Sequence, residues 1–506
     1  MAVTGSGMSR PSVIDVVGTG IAMVTGAGVS GLGTARLLTG LGVEVLVVDD
    51  NVEAGARVAE ATGAESCTTA EAMELLENLE HRVSVVVTSP GWRPDTPVLR
   101  LAEQHEIEVI GDVELAYRLD RAGLFGPPRT WLVVTGTNGK TTTTGMLADI
   151  MEAHASVLGQ HARACGNIGL AVADALTATR PRVDVLVAEL SSFQLHWSTE
   201  LTPDAGVLLN IAEDHLDWHG SLDNYASDKA KVLTGVVAVA GVDDPIVRRH
   251  MRQVRPDAYG FTLGEPAVGQ VGVIGEQIID NLDGDMIDIR ATRGIQPAGP
   301  AGLADALAAT AIARTQGVAP ATIARALDAF SVAGHRGETV HTGPRGTVWV
   351  DNSKATNPHA AHAALAGYGP GEVVWLAGGQ LKGASVDEVV AENAERLRAV
   401  GLLGVDRARI AEAVTRGAPE AEVFMTDSTD PAGAMDELVC WAARLEPPAK
   451  VVLLAPAAAS LDMYTGMGQR GDLFTAAARR EDRLKRSDPA TGTPTPFQEE
   501  SRDHHE

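Results

Sequence analysis

The sequence predicts an α/β fold of three domains, each built on a mainly parallel sheet. Three observations lead to this prediction. At 506 residues the chain can hold about three domains of roughly 150 residues each. Short apolar, β-branched runs alternate with helix-compatible stretches along most of its length. Glycine-rich turns at residues 26–31 and 136–139 each follow such a run and precede a helical stretch.

The first domain, residues 1–111, is predicted to be Rossmann-like. Residues 21–25 and 43–48 read as buried parallel strands, and the turn after the first matches G-x-G-x-x-G. Asp49 follows the second strand, about 20 residues on, as in dinucleotide-binding proteins. Residues 83–87 predict another strand, and its following loop lies at the edge where open α/β sheets bind ligands.

The central domain, residues 112–333, is predicted to be P-loop ATPase-like. An apolar run ends in a glycine turn followed by Lys-Thr-Thr and a helix-compatible segment, 143–154. Backbone N–H groups of such a turn converge on phosphate oxygens, and the lysine reaches the terminal phosphates. The predicted ATP-binding residues of the turn are Gly136, Thr137, Asn138, Gly139, Lys140, Thr141 and Thr142.

Two polar groups follow further predicted strands of this domain, at residues 183–189 and 205–210. Glu189 ends the first, and His215 lies just past the second. Carboxyl ends of parallel strands share one sheet edge, so we expect both side chains near the phosphate loop. There they would hold Mg²⁺ together with the Thr141 hydroxyl. Residues 301–316 predict an alanine-rich helix.

The third domain, residues 334–482, is predicted to be a second Rossmann-like unit. Residues 347–350, 373–376 and 451–454 read as strands, and residues 386–400 read as a helix between them. Residues 483–506 turn polar and are predicted to be a disordered tail.

Composition narrows the function. A net charge of −25 argues against nucleic-acid and anionic-membrane surfaces. We find neither a membrane-spanning stretch nor a secretory signal, and three distant cysteines suggest no disulfide or metal framework. We therefore expect a cytoplasmic protein. Only seven of the 41 basic residues are lysines, and five of these, Lys140, Lys229, Lys231, Lys354 and Lys382, fall in segments that look functional.

Seven sequence blocks, in the order in which they occur, resemble those of the Mur ligase family. They are T-G-T-N-G-K-T-T (135–142), G-N-I-G-L (166–170), E-L-S-S-F-Q-L (189–195), N-I-A-E-D-H-L-D (210–217), G-H-R (334–336), D-N-S-K-A-T-N (351–357) and L-A-P-A-A-A-S-L-D (454–462). The first has two residues between its glycines where the common P-loop has four. The sixth and seventh resemble the D-glutamate-adding branch of the family in particular.

The resemblance implies a three-domain ligase whose first domain binds UDP rather than NAD. In this branch ATP phosphorylates the carboxylate of UDP-N-acetylmuramoyl-L-alanine, and the amine of D-glutamate attacks the acyl phosphate. The products are an amide, ADP and phosphate, and the reaction is a step in the synthesis of peptidoglycan precursors. The positions that match the UDP-substrate site are Gly28, Ser30, Asp49, Ser89, Gly91, Asn167, Ser191 and Gln194.

The resemblance also implies a carbamylated lysine beside Mg²⁺, and Lys229 matches it, four residues after Tyr225. The implied metal set is Thr141, Glu189, His215 and Lys229. The implied catalytic set is Lys140, Glu189, His215, Lys229 and Lys354. Further ATP contacts would be Asp305, Arg336, Asp351 and Asn352. D-Glutamate would meet Lys354, Thr356, Lys382, Ser460 and Met467. We expect a monomer that acts on small molecules.

The sequence departs from the family pattern at six positions. Asp305 replaces an asparagine and cannot donate a hydrogen bond when ionised. The order Asp351-Asn352 leaves open which residue meets the ribose. Gln380 replaces an aspartate, Met467 an aromatic residue and Asn51 a basic one.

Three alternatives stay open on the sequence alone. A sibling ligase such as folylpolyglutamate synthase shares the loop but lacks the first domain. An NAD-dependent oxidoreductase would use Gly26, Gly28, Gly31 and Asp49 but leave the Lys140 loop idle. A nucleotide-binding regulator would not need Glu189, His215 and Lys229 together.

Overall fold

A computed structural model describes residues 12–78, 83–332 and 334–484. The chain divides into two compact units, residues 1–332 and 333–506, with two sheets in the first and one in the second. No helix among the described residues is both long and apolar enough to span a bilayer.

The first sheet is parallel, with strand order β3-β2-β1-β4-β5. Its strands are β1 (Ile21–Thr25), β2 (Val45–Val48), β3 (Glu65–Cys67), β4 (Val83–Thr88) and β5 (Glu108–Gly111). The helices are α1 (Ile14–Val17), α2 (Val29–Gly40), α3 (Val52–Thr62), α4 (Thr69–Glu77), α5 (Pro97–Gln104) and α6 (Asp112–Arg121). The strand order reverses between β1 and β4, and a crevice at the carboxyl ends of strands flanking such a point is the usual ligand site.

The second sheet has the order β14-β13-β12-β11-β10-β9-β6-β8-β7 and is parallel from β7 to β12, with antiparallel β13 and β14 at one edge. Its strands are β6 (Thr130–Thr135), β7 (Ala162–Gly166), β8 (Val185–Glu189), β9 (Ala205–Leu208), β10 (Val237–Gly241), β11 (Tyr259–Phe261), β12 (Gln270–Ile274), β13 (Gln277–Asn281) and β14 (Ile287–Ala291). The helices are α7 (Lys140–Ala155), α8 (Val172–Thr177), α9 (Ser192–His196), α10 (Leu216–His219), α11 (Leu222–Ala230), α12 (Pro245–Val254), α13 (Pro300–Thr315) and α14 (Pro320–Ala329). Short 3₁₀ turns occupy Ser156–Leu158 and Lys231–Thr234.

Helices cover both faces of this sheet, so its strands are apolar on both sides. The alanine run of α13 is buried against α7 on one face. Tyr225 and neighbouring residues of α11 pack on the other face with α6 and α8. Small alanine side chains let α13 approach α7 closely, and α7 carries the phosphate loop at its N-terminus.

The sheet of the second unit has the order β15-β16-β20-β17-β18-β19, with only β15 antiparallel among these strands. Its strands are β15 (Glu338–Thr342), β16 (Val348–Asp351), β17 (Val373–Gly378), β18 (Leu397–Leu403), β19 (Glu422–Met425) and β20 (Val451–Leu454). The helices are α15 (Pro358–Leu365), α16 (Asp387–Asn393), α17 (Arg407–Gly417), α18 (Pro431–Arg444) and α19 (Met467–Leu484), with a 3₁₀ turn at Ala394–Arg396.

The predicted α/β class with three mainly parallel sheets is confirmed. The helix predicted over residues 386–400 is wrong in its second half, where β18 begins at Leu397. That strand lies between β17 and β19 and is buried on both faces. Its apolar run therefore lacks strict alternation, and hydrophobic periodicity cannot distinguish such a strand from a buried helix. In the predicted disordered tail, Arg483 and Leu484 belong to α19, and residues 485–506 lie outside the described residues.

A buried ion pair joins α6 to the start of β6. Asp120 Oδ1 accepts from the Arg129 guanidinium at 2.7 Å, with at most 1% of either side chain exposed. Asp120 Oδ2 accepts from the Arg129 backbone N–H at 2.9 Å and from Trp131 Nε1 at 3.0 Å. The remaining Arg129 donors bind the Val183 and Leu176 carbonyls. One carboxylate therefore organises the junction that leads into the phosphate-loop strand.

Asp120→Ala should destabilise the protein by about 3–5 kcal/mol, because it leaves a buried guanidinium without its counter-charge. Urea unfolding followed by tryptophan fluorescence measures the change. Asp257→Ala, at a solvent-exposed ion pair with Arg255, is the matched control and should change stability by less than about 0.5 kcal/mol. Equal midpoints for the two variants would contradict the role given to Asp120.

Candidate active site

The phosphate loop joins β6 to α7, and both of its glycines are sterically required. A Cβ on Gly136 would lie 2.7 Å from Leu209 Cβ. Gly139 has φ +82°, and a Cβ there would lie 2.2 Å from Asp305 Oδ1. Asp305 is buried and accepts from Thr143 Oγ1 at 3.1 Å, which puts α13 directly against the loop.

Two residues that the predictions did not place in the site, Asn210 and Tyr225, hold the loop in position by hydrogen bonds. Asn210, after β9, accepts from the Asn138 N–H at 2.9 Å and donates to the Asn138 carbonyl at 3.0 Å. Thr137 Oγ1 lies 3.0 Å from the Tyr225 hydroxyl and accepts from the Ala212 N–H at 2.9 Å. The signal in the sequence is the position of Asn210, a polar residue at the end of a predicted strand.

Lys140 and Lys229 donate to the same backbone carbonyl. Their Nζ atoms lie 3.0 Å and 2.8 Å, respectively, from the Gly136 oxygen. Lys229 is 1% exposed and also lies 3.3 Å from Thr135 Oγ1 and 4.9 Å from the Tyr225 ring centre. Burial, and then the Lys140 charge, hold the pKa of Lys229 well below its ordinary value, against the opposing effects of nearby carboxylates that include Glu189.

Glu189 ends β8, the neighbour of β6, and is 2% exposed. Its Oε1 accepts from Asn167 Nδ2 at 3.0 Å. Its Oε2 is buried and receives no hydrogen bond from the described residues. A buried, unsatisfied carboxylate oxygen at a phosphate-loop edge fits a Mg²⁺ ligand, because Mg²⁺ prefers oxygen donors.

His215 lies at the same edge, between β9 and α10, in the left-handed region with φ 53°. Its ring packs 4.7 Å from the Phe193 ring, and its Nε2 lies 3.6 Å from Asp214 Oδ2. The side chain is 43% exposed and so accessible to a ligand. The structure thus brings Lys140, Glu189 and Lys229 together, with His215 at the same edge.

The first sheet holds its predicted substrate residues at the switch point. Asp49 accepts from the Ala27 N–H at 2.7 Å and so shapes the glycine turn. A Cβ on Gly31 would lie 1.7 Å from the Gly26 carbonyl oxygen, whereas Gly28 has open space. Ser89 Oγ is buried and has no hydrogen-bond partner among the described residues.

The other predicted substrate residues are mostly engaged within the protein. Ser30 hydrogen bonds to Asp112, whose buried carboxyl has a raised pKa because of desolvation. Ser191 and Gln194 form the capping box of α9. Beyond Gly91, Arg93 donates to the Asp217 carbonyl at 2.8 Å, which links this loop to the segment carrying His215.

In the second unit, three loops follow the adjacent strands β16, β20 and β17. The Ala457 N–H donates to the Ala355 carbonyl, and Gln380 and Ala459 exchange two backbone hydrogen bonds. This pairing brings one predicted group of residues to a single sheet edge: Asn352, Lys354, Thr356, Lys382 and Ser460. Lys382 has φ 49°, and Met467, at the start of α19, is 40% exposed.

Asp351 is fully buried and accepts from His335 Nδ1 at 2.6 Å and from the Ser353 N–H at 2.9 Å. Arg336 directly follows His335 and is half-buried. Asp351 therefore organises the turn that carries Arg336. Asn51, one of the departures, caps α3 by accepting from the Ala54 N–H at 3.1 Å.

Family models match three parts of the chain: the Mur ligase middle domain over residues 134–312, the Mur ligase glutamate ligase domain over 335–458, and the C-terminal domain of alanine dehydrogenase/PNT over 3–99. With the phosphate loop and the three-sheet architecture, the first two define the class, a Mur-type ligase. The third match agrees with the glycine fingerprint of the first sheet.

The chain is 55% identical over 463 residues to the UDP-N-acetylmuramoylalanine–D-glutamate ligase of Corynebacterium diphtheriae, covering 90% of this chain and 95% of that protein. It is 54% identical to the enzyme of the same name from Corynebacterium efficiens, covering 90% and 94%. Among solved structures, MurF from Acinetobacter baumannii shares the fold, with a TM-score of 0.57, 18% identity, and 90% and 93% of the two chains covered. The chain belongs to the UDP-N-acetylmuramoylalanine–D-glutamate ligases of the Mur ligase family.

The lowered pKa of Lys229 predicts a pH dependence of stability. Between that pKa and the ordinary value of about 10.4, the unfolded chain binds more protons at this amine than the folded one. Its contribution to stability therefore rises with pH through this interval. Lys229→Met removes the titrating group, so its unfolding temperature should rise less with pH than that of wild type as the pH approaches the ordinary value of about 10.4 from below.

The measurement needs CO₂-depleted buffer, so that the amine itself is observed. Lys450→Met, at an exposed lysine paired with Glu372, is the control and should keep the wild-type profile. Identical slopes for wild type and Lys229→Met would show that the buried amine titrates as in the unfolded chain.

Proposed function

We propose that the protein is an ATP-dependent ligase that adds D-glutamate to UDP-N-acetylmuramoyl-L-alanine, giving ADP and phosphate. The observation that carries the proposal is the convergence of Lys140 and Lys229 on the Gly136 carbonyl, with the unsatisfied Glu189 oxygen on the neighbouring strand. Membership among the D-glutamate ligases supports this choice of substrates.

The reaction proceeds through an acyl phosphate. An alanyl carboxylate oxygen of the UDP-sugar attacks the γ-phosphorus of ATP, and the bond to the ADP oxygen breaks. The D-glutamate amine then attacks the activated carbonyl, expelling phosphate and releasing a proton. Lys140 and the N–H groups at the start of α7 would stabilise the charge on the transferring group. Holding the reactants in line contributes further, up to about 7–11 kcal/mol.

Glu189, His215 and Thr141 would hold Mg²⁺, which would neutralise phosphate charge when bound with ATP. We propose that Lys229 is carbamylated. Its neutral amine would attack CO₂ and lose a proton, giving a carbamate anion able to face the metal. Burial of Lys229 and the adjacent Lys140 charge both favour this reaction, because both disfavour the ammonium form.

In this proposal residues 1–111 form the UDP-binding domain. Uridine diphosphate would meet Gly28, Ser30, Asp49, Ser89 and Gly91. The sugar–alanine part would meet Asn167, Ser191 and Gln194. The buried Ser89 hydroxyl and the open space at Gly28 support the assignment.

In this proposal residues 112–333 form the ATP-binding domain, and residues 334–482 contribute to binding ATP and the amino acid. Asp305 would join the phosphate loop, and Arg336, Asp351 and Asn352 would contact ATP from the third domain. The carboxylates of D-glutamate need cations and hydroxyls, which the following residues supply: Lys354, Thr356, Lys382 and Ser460, with Met467 beside them. Their three loops are joined by backbone hydrogen bonds, which supports a shared site. We expect a cytoplasmic monomer that binds neither nucleic acid nor membranes, in keeping with the net charge of −25.

Phosphate release in the presence of ATP, UDP-N-acetylmuramoyl-L-alanine and an amino acid tests the proposal. Wild type should require both the UDP-sugar and D-glutamate. Lys140→Ala should lower release by at least about a hundredfold, because a donor to the transferring group is lost. UDP-sugar binding, measured by calorimetry, should persist.

Lys450→Ala, at an exposed position, is the control and should keep wild-type turnover. Release that depends on L-lysine or diaminopimelate would favour a sibling ligase, and NADH turnover would favour the oxidoreductase. Near-normal turnover by Lys140→Ala would overturn the phosphate-loop assignment.

Lys229→Ala should lose most activity and regain part of it when formate or acetate is added, because a small carboxylate can replace the carbamate in the space left by the side chain. Initial rates against acid concentration measure the rescue. Lys140→Ala should show no rescue. Full activity of Lys229→Ala without added acid would rule out a functional carbamate.

A further inference from the structure

A second polar cluster lies behind the metal-facing residues of the central domain. We call His196, His219 and Asp228, with Ser192 and Lys231, the Asp228 cluster. Asp228 Oδ2 accepts from His196 Nδ1 at 2.9 Å and from His219 Nδ1 at 3.1 Å, and its Oδ1 lies 3.2 Å from Lys231 Nζ. His219 Nε2 lies 2.9 Å from Ser192 Oγ, so that hydroxyl donates to it.

The cluster connects the three segments that carry the proposed metal-facing side chains. Ser192 and His196 lie on α9, which begins three residues after Glu189. His219 ends α10, which begins directly after His215. Asp228 precedes Lys229 on α11. Each segment thus contributes one residue towards the phosphate loop and at least one to the Asp228 cluster.

The geometry of helix α11 couples the position of Asp228 to the direction of the Lys229 side chain. Neighbouring residues on a helix point about 100° apart, so Asp228 and Lys229 project in different directions. Lys229 reaches the Gly136 carbonyl, whereas Asp228 reaches α9 and α10. Anchoring the carboxylate therefore fixes the rotation of α11 and the direction of the Lys229 side chain.

The cluster is largely shielded from water. Only 1% of the His219 side chain and 12% of the Asp228 side chain are exposed, against 31% for His196. Phe193 stacks on His219 with ring centres 5.6 Å apart. Three hydrogen-bonded or charged groups meet one carboxylate in this setting, and such networks hold backbone segments in a single arrangement.

We infer that the Asp228 cluster is a positioning device that sets the spacing of Glu189, His215 and Lys229 around the metal. The inference rests on the proposed function. Within the Asp228 cluster, the ligand atoms of His196, His219 and Asp228 also lie close enough together to hold a transition metal ion. Two features favour the positioning role: both carboxylate oxygens already have partners, and the Lys231 ammonium lies 3.2 Å from one of them and would repel a second cation.

Two variants of the cluster test the inference in the full-length protein, Asp228→Asn and His219→Gln. With an unhydrolysable ATP analogue, Mn²⁺ binding followed by electron paramagnetic resonance should weaken about tenfold in both, the lower end of the range for partners that orient metal ligands. In ¹³C-bicarbonate, the carbamate signal that Lys229→Ala lacks should lose intensity. Mn²⁺ affinity and the carbamate signal report on the positioning of the ligands. Thermal unfolding reports separately on any loss of stability.

His161→Gln is the matched control, because His161 Nδ1 also pairs with a carboxylate, Glu152, at 3.0 Å, but precedes β7 at the opposite sheet edge. It should keep wild-type Mn²⁺ affinity and carbamate signal. If Glu189→Gln weakens Mn²⁺ binding but both Asp228 cluster variants keep wild-type Mn²⁺ affinity and carbamate signal, the positioning role is wrong and the proposed function is unaffected. Unchanged binding in Glu189→Gln as well would refute the metal assignment of the proposed function. One equivalent of zinc in the purified protein, lost in His219→Gln, would replace the positioning role by a metal site.

Discussion

The site depends on one backbone carbonyl that two lysine amines share. The Gly136 carbonyl accepts from both Lys140 and Lys229, and the residue itself must be glycine because a Cβ there would collide with Leu209. Two ammonium groups on one buried oxygen repel each other strongly where the effective dielectric constant is low. Burial of Lys229 disfavours its ammonium form and so weakens this repulsion.

Sheet topology produces this arrangement from segments that are distant in sequence. β6 lies between β8 and β9, so the loops after all three strands meet at one edge. Asn210 and Tyr225 then tie the loop after β9 and the helix α11 to the phosphate loop. Neither residue needs to touch a substrate, yet both determine where the loop N–H groups point.

The fold class and this edge could be predicted because they follow from strongly patterned local sequence. The apolar run before Gly136 and the polar residues after the next strands identify a parallel sheet edge without further information. The helix prediction over residues 386–400 was wrong in its second half because β18 is buried on both faces. The hydrophobic periodicity of such a strand does not distinguish it from a buried helix. The back-side contacts of Asp228 could not be predicted either, since they depend on how three short helices pack and leave no local pattern.

The second unit uses the same principle with a single buried cation. Arg470 on α19 is fully buried and donates to the carbonyls of Gly378, at the end of β17, and of Ser353 and Ala458, in the loops after β16 and β20. Burial lowers its pKa to about 10, which still leaves the guanidinium charged at neutral pH. Three carbonyl dipoles therefore compensate a charge that would otherwise be costly to bury. Because a guanidinium has several donors in a rigid plane, it fixes the relative positions of the three loops, whereas a flexible lysine would leave them loosely coupled. In both units, then, buried polar groups hold together the loops that carry the predicted site residues.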